Sequence, residues 1–241
     1  MTTNTPELLY SRYMAVLNRL DQAKREAHRE GEAVTLIAVG KTYPVEDEFA
    51  LYQRGVRAFG ENYVQEAAAK RAWFLEHVPL EDQPEWHLIG QLQSNKTKEA
   101  AQFDWVHAVD REKIAKRLSE QRVRETPLNI LIEVNADNEP DKGGVSFEEL
   151  LPLVSRIQTL PNLAIRGLMA IPNPKLEPEA RRESLLRVSQ AFKTLQRAFP
   201  NLPLDTLSMG MSHDLEWAVE AGSTLIRVGQ AIFGPRQYPT R

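Results

Sequence analysis

Residues 208–234 read SMGMSHDLEWAVEAGSTLIRVGQAIFG. A short apolar segment passes through a glycine turn into an amphipathic segment that ends at Gly222. A second apolar segment, TLIRVG (224–229), follows and runs into a second glycine turn. Strand, helix and parallel strand in so short a span form a βαβ unit.

The same alternation extends back through the chain. The other apolar runs are VTLIAVG (34–40), AFGEN (58–62), WHLIG (86–90), WVHAV (105–109), LNILIEVN (128–135), LAIRGLMAI (163–171) and TLSMG (206–210), the last overlapping the quoted stretch and making eight with 224–229. Between them lie helical segments. Residues 45–55 end at Gly55, residues 111–124 are charged and amphipathic, residues 177–199 open with Glu177-Pro178, and residues 213–221 end at Gly222. Eight strand–helix units in 241 residues predict a (β/α)₈ TIM-type barrel. The competing fold is an open doubly wound sheet. No G-x-G-x-x-G sequence follows any of the runs, which weighs against it.

Ahead of the barrel, Thr5-Pro6-Glu7 gives an N-cap, a proline at the first helical position and an early acid. Leu9, Tyr13, Val16, Leu17 and Leu20 then recur at helical spacing, so residues 1–30 read as an extra helix packed on the barrel. With no linker in view, residues 1–241 are expected to form one domain.

Composition narrows the function classes. The chain is 42% hydrophobic and 26% charged, with a formal net charge of −3, so it lacks the basic face of a nucleic-acid binder. It has no cysteine, which removes disulfides, thiolate nucleophiles and cysteine-based zinc sites. It has neither an apolar signal core nor a stretch long enough to span a bilayer, and a cytoplasmic location is expected.

In a barrel, the C-terminal ends of the strands surround the site. Those ends carry Lys41, Glu61 with Asn62, His87 with Gly90, Asn135, Met169, Ser208 with Met209 and Gly210, and Arg227 with Gly229. Carboxylates are few, and no H-x-H or H-E-x-x-H spacing occurs, so neither a metal site nor a glycosidase pair is expected. Lys41 ends an apolar run, an expensive place for an ammonium unless it reaches solvent or serves as an amine nucleophile. Ser212 stands where the N-cap of the 213–221 helix is expected, and Gly229-Gln230 opens a further helical turn. Two helix starts side by side after strands seven and eight are a place for a phosphate, although serine also caps helices with no ligand. Arg227 inside the last strand needs a polar partner, either an anionic ligand or an internal salt bridge with Glu61 or Glu133.

Taken together, AVGKTYP (38–44), FGENYVQEAAAK (59–70), WHLIGQLQSNK (86–96), GLMAIPNP (167–174) and residues 208–234 resemble the pyridoxal phosphate homeostasis proteins. These are single-domain barrels related to the N-terminal domain of bacterial alanine racemase. The resemblance covers essentially the whole chain. It implies pyridoxal 5′-phosphate (PLP) held as an aldimine on Lys41, with Asn62 near the ring oxygen and Arg227 facing the pyridine nitrogen. It also implies that Met209, Gly210, Met211, Ser212, Gly229 and Gln230 hold the phosphate. A cation facing that nitrogen keeps it unprotonated and weakens the ring as an electron sink. The sequence departs from the family pattern at Gly40 and Gly143, where serine is more usual.

The implied function is a PLP carrier that regulates vitamin B6, amino-acid and keto-acid balance without robust catalysis. PLP-dependent apoenzymes are the implied partners, and a monomer or weak dimer is expected. Two enzymatic readings compete. A PLP-dependent racemase takes its second acid-base group from an additional domain, and the chain closes at Arg241 just after the last strand. A cofactor-free Schiff-base aldolase wants an acid or a second lysine beside Lys41, and the strand ends supply neither.

Overall fold

The computed structural model describes residues 4–235 and is a closed parallel barrel with strand order β1 to β8. The strands are β1 (Thr35–Val39), β2 (Ala58–Glu61), β3 (Glu85–Leu88), β4 (Trp105–Val109), β5 (Leu128–Glu133), β6 (Leu163–Met169), β7 (Thr206–Ser208) and β8 (Leu225–Val228). Seven fall inside the apolar runs, and β3 starts at Glu85, one residue ahead of its run. Closure is made by β1 against β8, with Ile37 opposite Arg227, and this excludes the open doubly wound sheet. Residues 1–3 and 236–241 of the expected single domain lie outside the described residues.

Alternation along each strand builds two apolar layers. Ile37, Val39, Trp105, Leu131, Met169 and Leu225 fill the barrel interior. Leu36, Ala38, Phe59, Val106, Ile130 and Leu168 face outward under the helices. A strand buried on both faces has to be apolar throughout, which is why these runs show no polar alternation.

The helices that position the site are α1 (Pro6–Glu26), α2 (Val45–Tyr52), α3 (Val64–His77), then α4 (Thr97–Ala100), α5 (Glu112–Gln121), α6 (Phe147–Ile157), α7 (Pro178–Ala198), α8 (Leu215–Glu220) and α9 (Gln230–Phe233). Helix α1 starts where Thr5-Pro6-Glu7 signals it and ends at Glu26, short of residue 30. The Thr5 side chain accepts from the Leu8 N–H at 3.2 Å, Pro6 occupies the first turn, and Leu9, Val16, Leu20 and Ala23 are buried. Its packing is against α8 and α9, beside the last two strands. Gly55 and Gly222, at φ +96° and +100°, follow α2 and α8 in the left-handed conformation that ends helices. Among the described residues, no helix is long and apolar enough to cross a membrane.

Candidate functional site

The C-terminal mouth of the barrel holds a cavity of about 250 Å³. Lys41 enters it after β1, Asn62 after β2 and Arg227 from β8. The Met211–His213 turn forms one wall and the Gly229-Gln230 turn another, with Val39, Ile89 and Ile171 as apolar lining. A second cavity of about 230 Å³ adjoins it, sharing Asn62, Ile89 and Ile171, and is lined beyond them by Gln91, Glu133, Lys142 and Gly143 among others.

The chain leaves β1 through a tight turn. Gly40 N–H donates to Gly60 O at 3.0 Å and Tyr43 N–H returns to Gly40 O at 3.0 Å. Thr42 sits at φ +70°, an uncommon conformation for a β-branched residue. It is held there by its N–H donating to Glu66 Oε1 at 2.6 Å. Lys70 donates to Gly40 O at 2.7 Å and to Glu61 Oε1 at 2.6 Å. The Tyr43 ring stacks on Phe233 at 5.1 Å and its hydroxyl donates to Gly234 O, which ties this turn to α9. The lysine is therefore affordable at the end of a buried strand, because its own residue already stands at the rim of the cavity.

Behind the turn is an ionic cluster that the strand ends do not reveal. Lys70 Nζ lies 3.4 Å from Glu48 and 3.4 Å from Glu66, besides its short bond to Glu61. Burial, with the Glu61 charge, pushes the Glu48 carboxyl well above the usual range. Burial raises Glu61 as well, against the pull of Lys70. Burial opposes the Lys70 charge, but the surrounding carboxylates outweigh it and raise its pKa. An acid and a second lysine thus do lie behind the Lys41 turn, contrary to the expectation from the strand ends. Glu61 stands at the end of β2, but Glu48 and Lys70 come from α2 and α3, and helix side chains are invisible to a reading of strand termini.

Arg227 is buried, with Nη1 donating to Ser208 Oγ at 2.6 Å and Nη2 to Ala170 O at 3.1 Å. Among the described residues no carboxylate forms an ion pair with it, so the alternative of an internal salt bridge with Glu61 or Glu133 is not realised. Glu61 is occupied by Lys70. Burial lowers the Arg227 pKa to about 10, which leaves it cationic near neutrality. Glu133 is raised to about 7, chiefly by burial and then by Asp110, with Arg227 and Lys142 opposing.

Ser212 is not the helix N-cap. Residues 212–214 form a turn, α8 starts at Leu215, and Asp214 is the cap. The Asp214 carboxylate accepts the Met211 N–H at 2.7 Å, closing the turn ahead of the helix and leaving Ser212 at its apex. Ser212 O accepts from Arg19 Nη1 of α1 at 2.6 Å. Of the nine expected site residues, Lys41, Asn62, Met211, Ser212, Arg227, Gly229 and Gln230 line the cavity. Met209 is fully buried behind it. Gly210, at φ +99°, accepts the Arg227 N–H at 3.0 Å and supports the strand from below. His213, Ile89 and Ile171 were not anticipated. His213 adjoins Ser212 and Ile89 adjoins Gly90, whereas Ile171 lies two residues past Met169.

The family model for the alanine racemase N-terminal domain matches residues 13–237, a span that holds all eight strands and the cavity. Curated relatives narrow it. A pyridoxal phosphate homeostasis protein of Pasteurella multocida is 46% identical over 226 residues, covering 92% of this chain and 95% of the relative. One from Escherichia coli K12 is 44% identical, covering 92% and 94%. PipY of Synechococcus elongatus, solved with PLP bound, aligns with a TM-score of 0.76 at 37% identity over 88% of this chain and 99% of that one. The chain belongs to the pyridoxal phosphate homeostasis protein family. An alanine racemase of Clostridium difficile shares the fold at a TM-score of 0.71 and 11% identity, with 97% of this chain matching 58% of the racemase.

Proposed function

We propose that this chain binds PLP at the barrel mouth, joined as an aldimine to Lys41, and serves as a carrier that regulates vitamin B6, amino-acid and keto-acid balance. One observation carries the reading. An amine, a guanidinium and two backbone turns converge on a single cavity of about 250 Å³. The donor set suits the group. Backbone N–H groups of Ser212, His213 and the Gly229-Gln230 turn suit a phosphate dianion, the Met211 N–H being taken by Asp214. A Cβ on Gly229 would come within 3.0 Å of Val39 O, so glycine lets that turn sit close against β1. PLP supplies an aldehyde that condenses with amines; the protein's residues bind and orient it.

Arg227 favours carrier over enzyme. If it faced the pyridine nitrogen, a guanidinium that stays charged would disfavour protonation of that nitrogen and so carbanion chemistry. The aldolase reading gains little from Lys70, whose hydrogens go to Gly40 O and Glu61. Residues 1–241 are proposed to act as one PLP-binding unit in the cytoplasm, as a monomer or weak dimer, delivering PLP to apoenzymes.

Borohydride reduction of the PLP-loaded protein followed by peptide mapping tests the assignment. Label is expected on the peptide containing Lys41. Label on another lysine, or none, overturns the site.

A further inference from the structure

A line of buried polar groups crosses the barrel interior beneath Arg227. Arg227 Nη1 meets Ser208 Oγ at 2.6 Å, Ser208 Oγ meets His107 Nδ1 at 3.0 Å, and His107 Nε2 meets His87 Nδ1 at 3.0 Å. His87 Nε2 then faces Glu85 Oε2 at 3.6 Å, and Glu85, first residue of β3, opens to solvent at the opposite end of the barrel. The line uses β8, β7, β4 and β3, yet an interior of this kind is ordinarily filled with branched apolar side chains. His87, His107, Ser208 and Arg227 are all at most 3% exposed. Four polar side chains are an expensive way to fill a core unless they are mutually satisfied and have a task.

The hydrogens can be placed by elimination. A guanidinium has no acceptor, so Arg227 donates to Ser208. His107 is held neutral, its pKa well below the usual value through burial, then the neighbouring His87 and Arg227, so it carries one N–H. If that hydrogen were on Nδ1, it would point at Ser208 Oγ. The serine hydroxyl would then lose its acceptor in the line, and His87 would donate to His107 and turn a bare lone pair toward the Glu85 carboxylate. With the hydrogen on Nε2, each of the three hydrogen bonds from Arg227 to His87 has a donor and an acceptor, and only His87 Nε2, 3.6 Å from Glu85, lacks a hydrogen-bond partner. Ser208 donates to His107 Nδ1, His107 Nε2–H donates to His87 Nδ1, and His87 Nε2–H faces Glu85. The Glu85 carboxyl is held below its usual range, first by His87 and against the effect of burial.

We propose that Ser208 and His107 are positioning residues for Arg227, fixed by a one-way line of donation that runs from Arg227 to His87, turns its far end toward the Glu85 carboxylate and holds both histidines as Nε2–H tautomers. The line gives the guanidinium one defined orientation toward the cavity, which a lone backbone acceptor, Ala170 O, would not do. Its role toward the cofactor rests on the PLP reading, but the line itself does not.

Long-range ¹H–¹⁵N NMR of the histidine rings, on the full chain without added cofactor, tests the tautomers directly. Nε2–H on both His87 and His107 is expected, and Nδ1–H on His107 would overturn the proposal. Glu85→Gln, at an exposed position, is expected to shift the ring nitrogens of His107 as well as those of His87; a change confined to His87 would overturn the coupling. Titration with PLP then tests positioning. Ser208→Ala is expected to bind PLP about tenfold more weakly, for one lost charge-assisted hydrogen bond, and to shift the visible absorbance of bound PLP, with Ser208→Thr restoring both. Parent-like affinity and spectrum in Ser208→Ala would overturn positioning. Failure of the parent to bind PLP would overturn the cofactor reading instead, and the tautomer measurement still decides the line.

Discussion

The Glu48 carboxyl occupies the space into which a side chain at position 40 would project; a Cβ built on Gly40 overlaps its Oε1. Helix α2 sends a glutamate under the Lys41 turn, and only glycine leaves room for it. Gly40→Ser is expected to destabilise the protein by about 1–3 kcal/mol through overpacking. The double variant Gly40→Ser/Glu48→Ala is expected to recover most of that loss, a coupling measurable by denaturant unfolding of both singles and the double. Additive effects would show that the two residues do not compete for the space.

Lys70 contacts both Glu48 and Glu61. Lys70→Met should cost about 3–5 kcal/mol, because it strands buried carboxylates and leaves Gly40 O without its lysine donor. The Lys41 turn should loosen with it, weakening PLP retention beyond the global loss of stability. Hydrogen exchange of the Lys41–Tyr43 amides checks this; unchanged protection there would refute the link.

Arg19 ties helix α1 to the Ser212 turn through Ser212 O and through a paired contact with Glu216. Arg19→Ala is therefore expected to speed PLP release several-fold with a modest effect on stability, since the guanidinium is partly exposed. Stopped-flow transfer of PLP to an apoenzyme is the measurement. A release rate equal to the parent's would place the phosphate away from this turn.

Glu133 gives a pH signature. Its folded pKa of about 7 exceeds the ordinary 4.5, so the folded state binds its proton more tightly than the unfolded chain does. Stability from this carboxyl is complete below about pH 4.5 and is lost as pH rises to about 7. Glu133→Gln should therefore match the parent at pH 4 and exceed it by up to about 2–3 kcal/mol at pH 8. A gain of equal size at both pH values would assign the effect to packing.

The reading of strand ends was most dependable where the backbone itself sets the position. Lys41, Asn62, Arg227 and Gly229 are one or two residues from the ends of their strands, so the strand pattern delivers them to the barrel mouth. Ser212 shows the limit of the same reasoning. A serine before a helical pattern suggests a cap, but the Asp214 side chain competes for the Met211 N–H and moves the helix start to Leu215.

The sequence by itself determined the eight strands, the preceding helix and the family, because apolar period, glycine stops and contiguous motifs are local signals. It also carried the lysine, the arginine and both turns of the site. Only the tertiary structure decided which polar groups meet. Glu48 and Lys70 reach the Lys41 turn from two helices, and His87, His107 and Ser208 line up under Arg227 from separate strands. Those pairings depend on barrel closure, on strand register and on which face each side chain takes. Residues as far apart in sequence as His107 and Ser208 become hydrogen-bond partners only when β4 and β7 are wrapped around one interior.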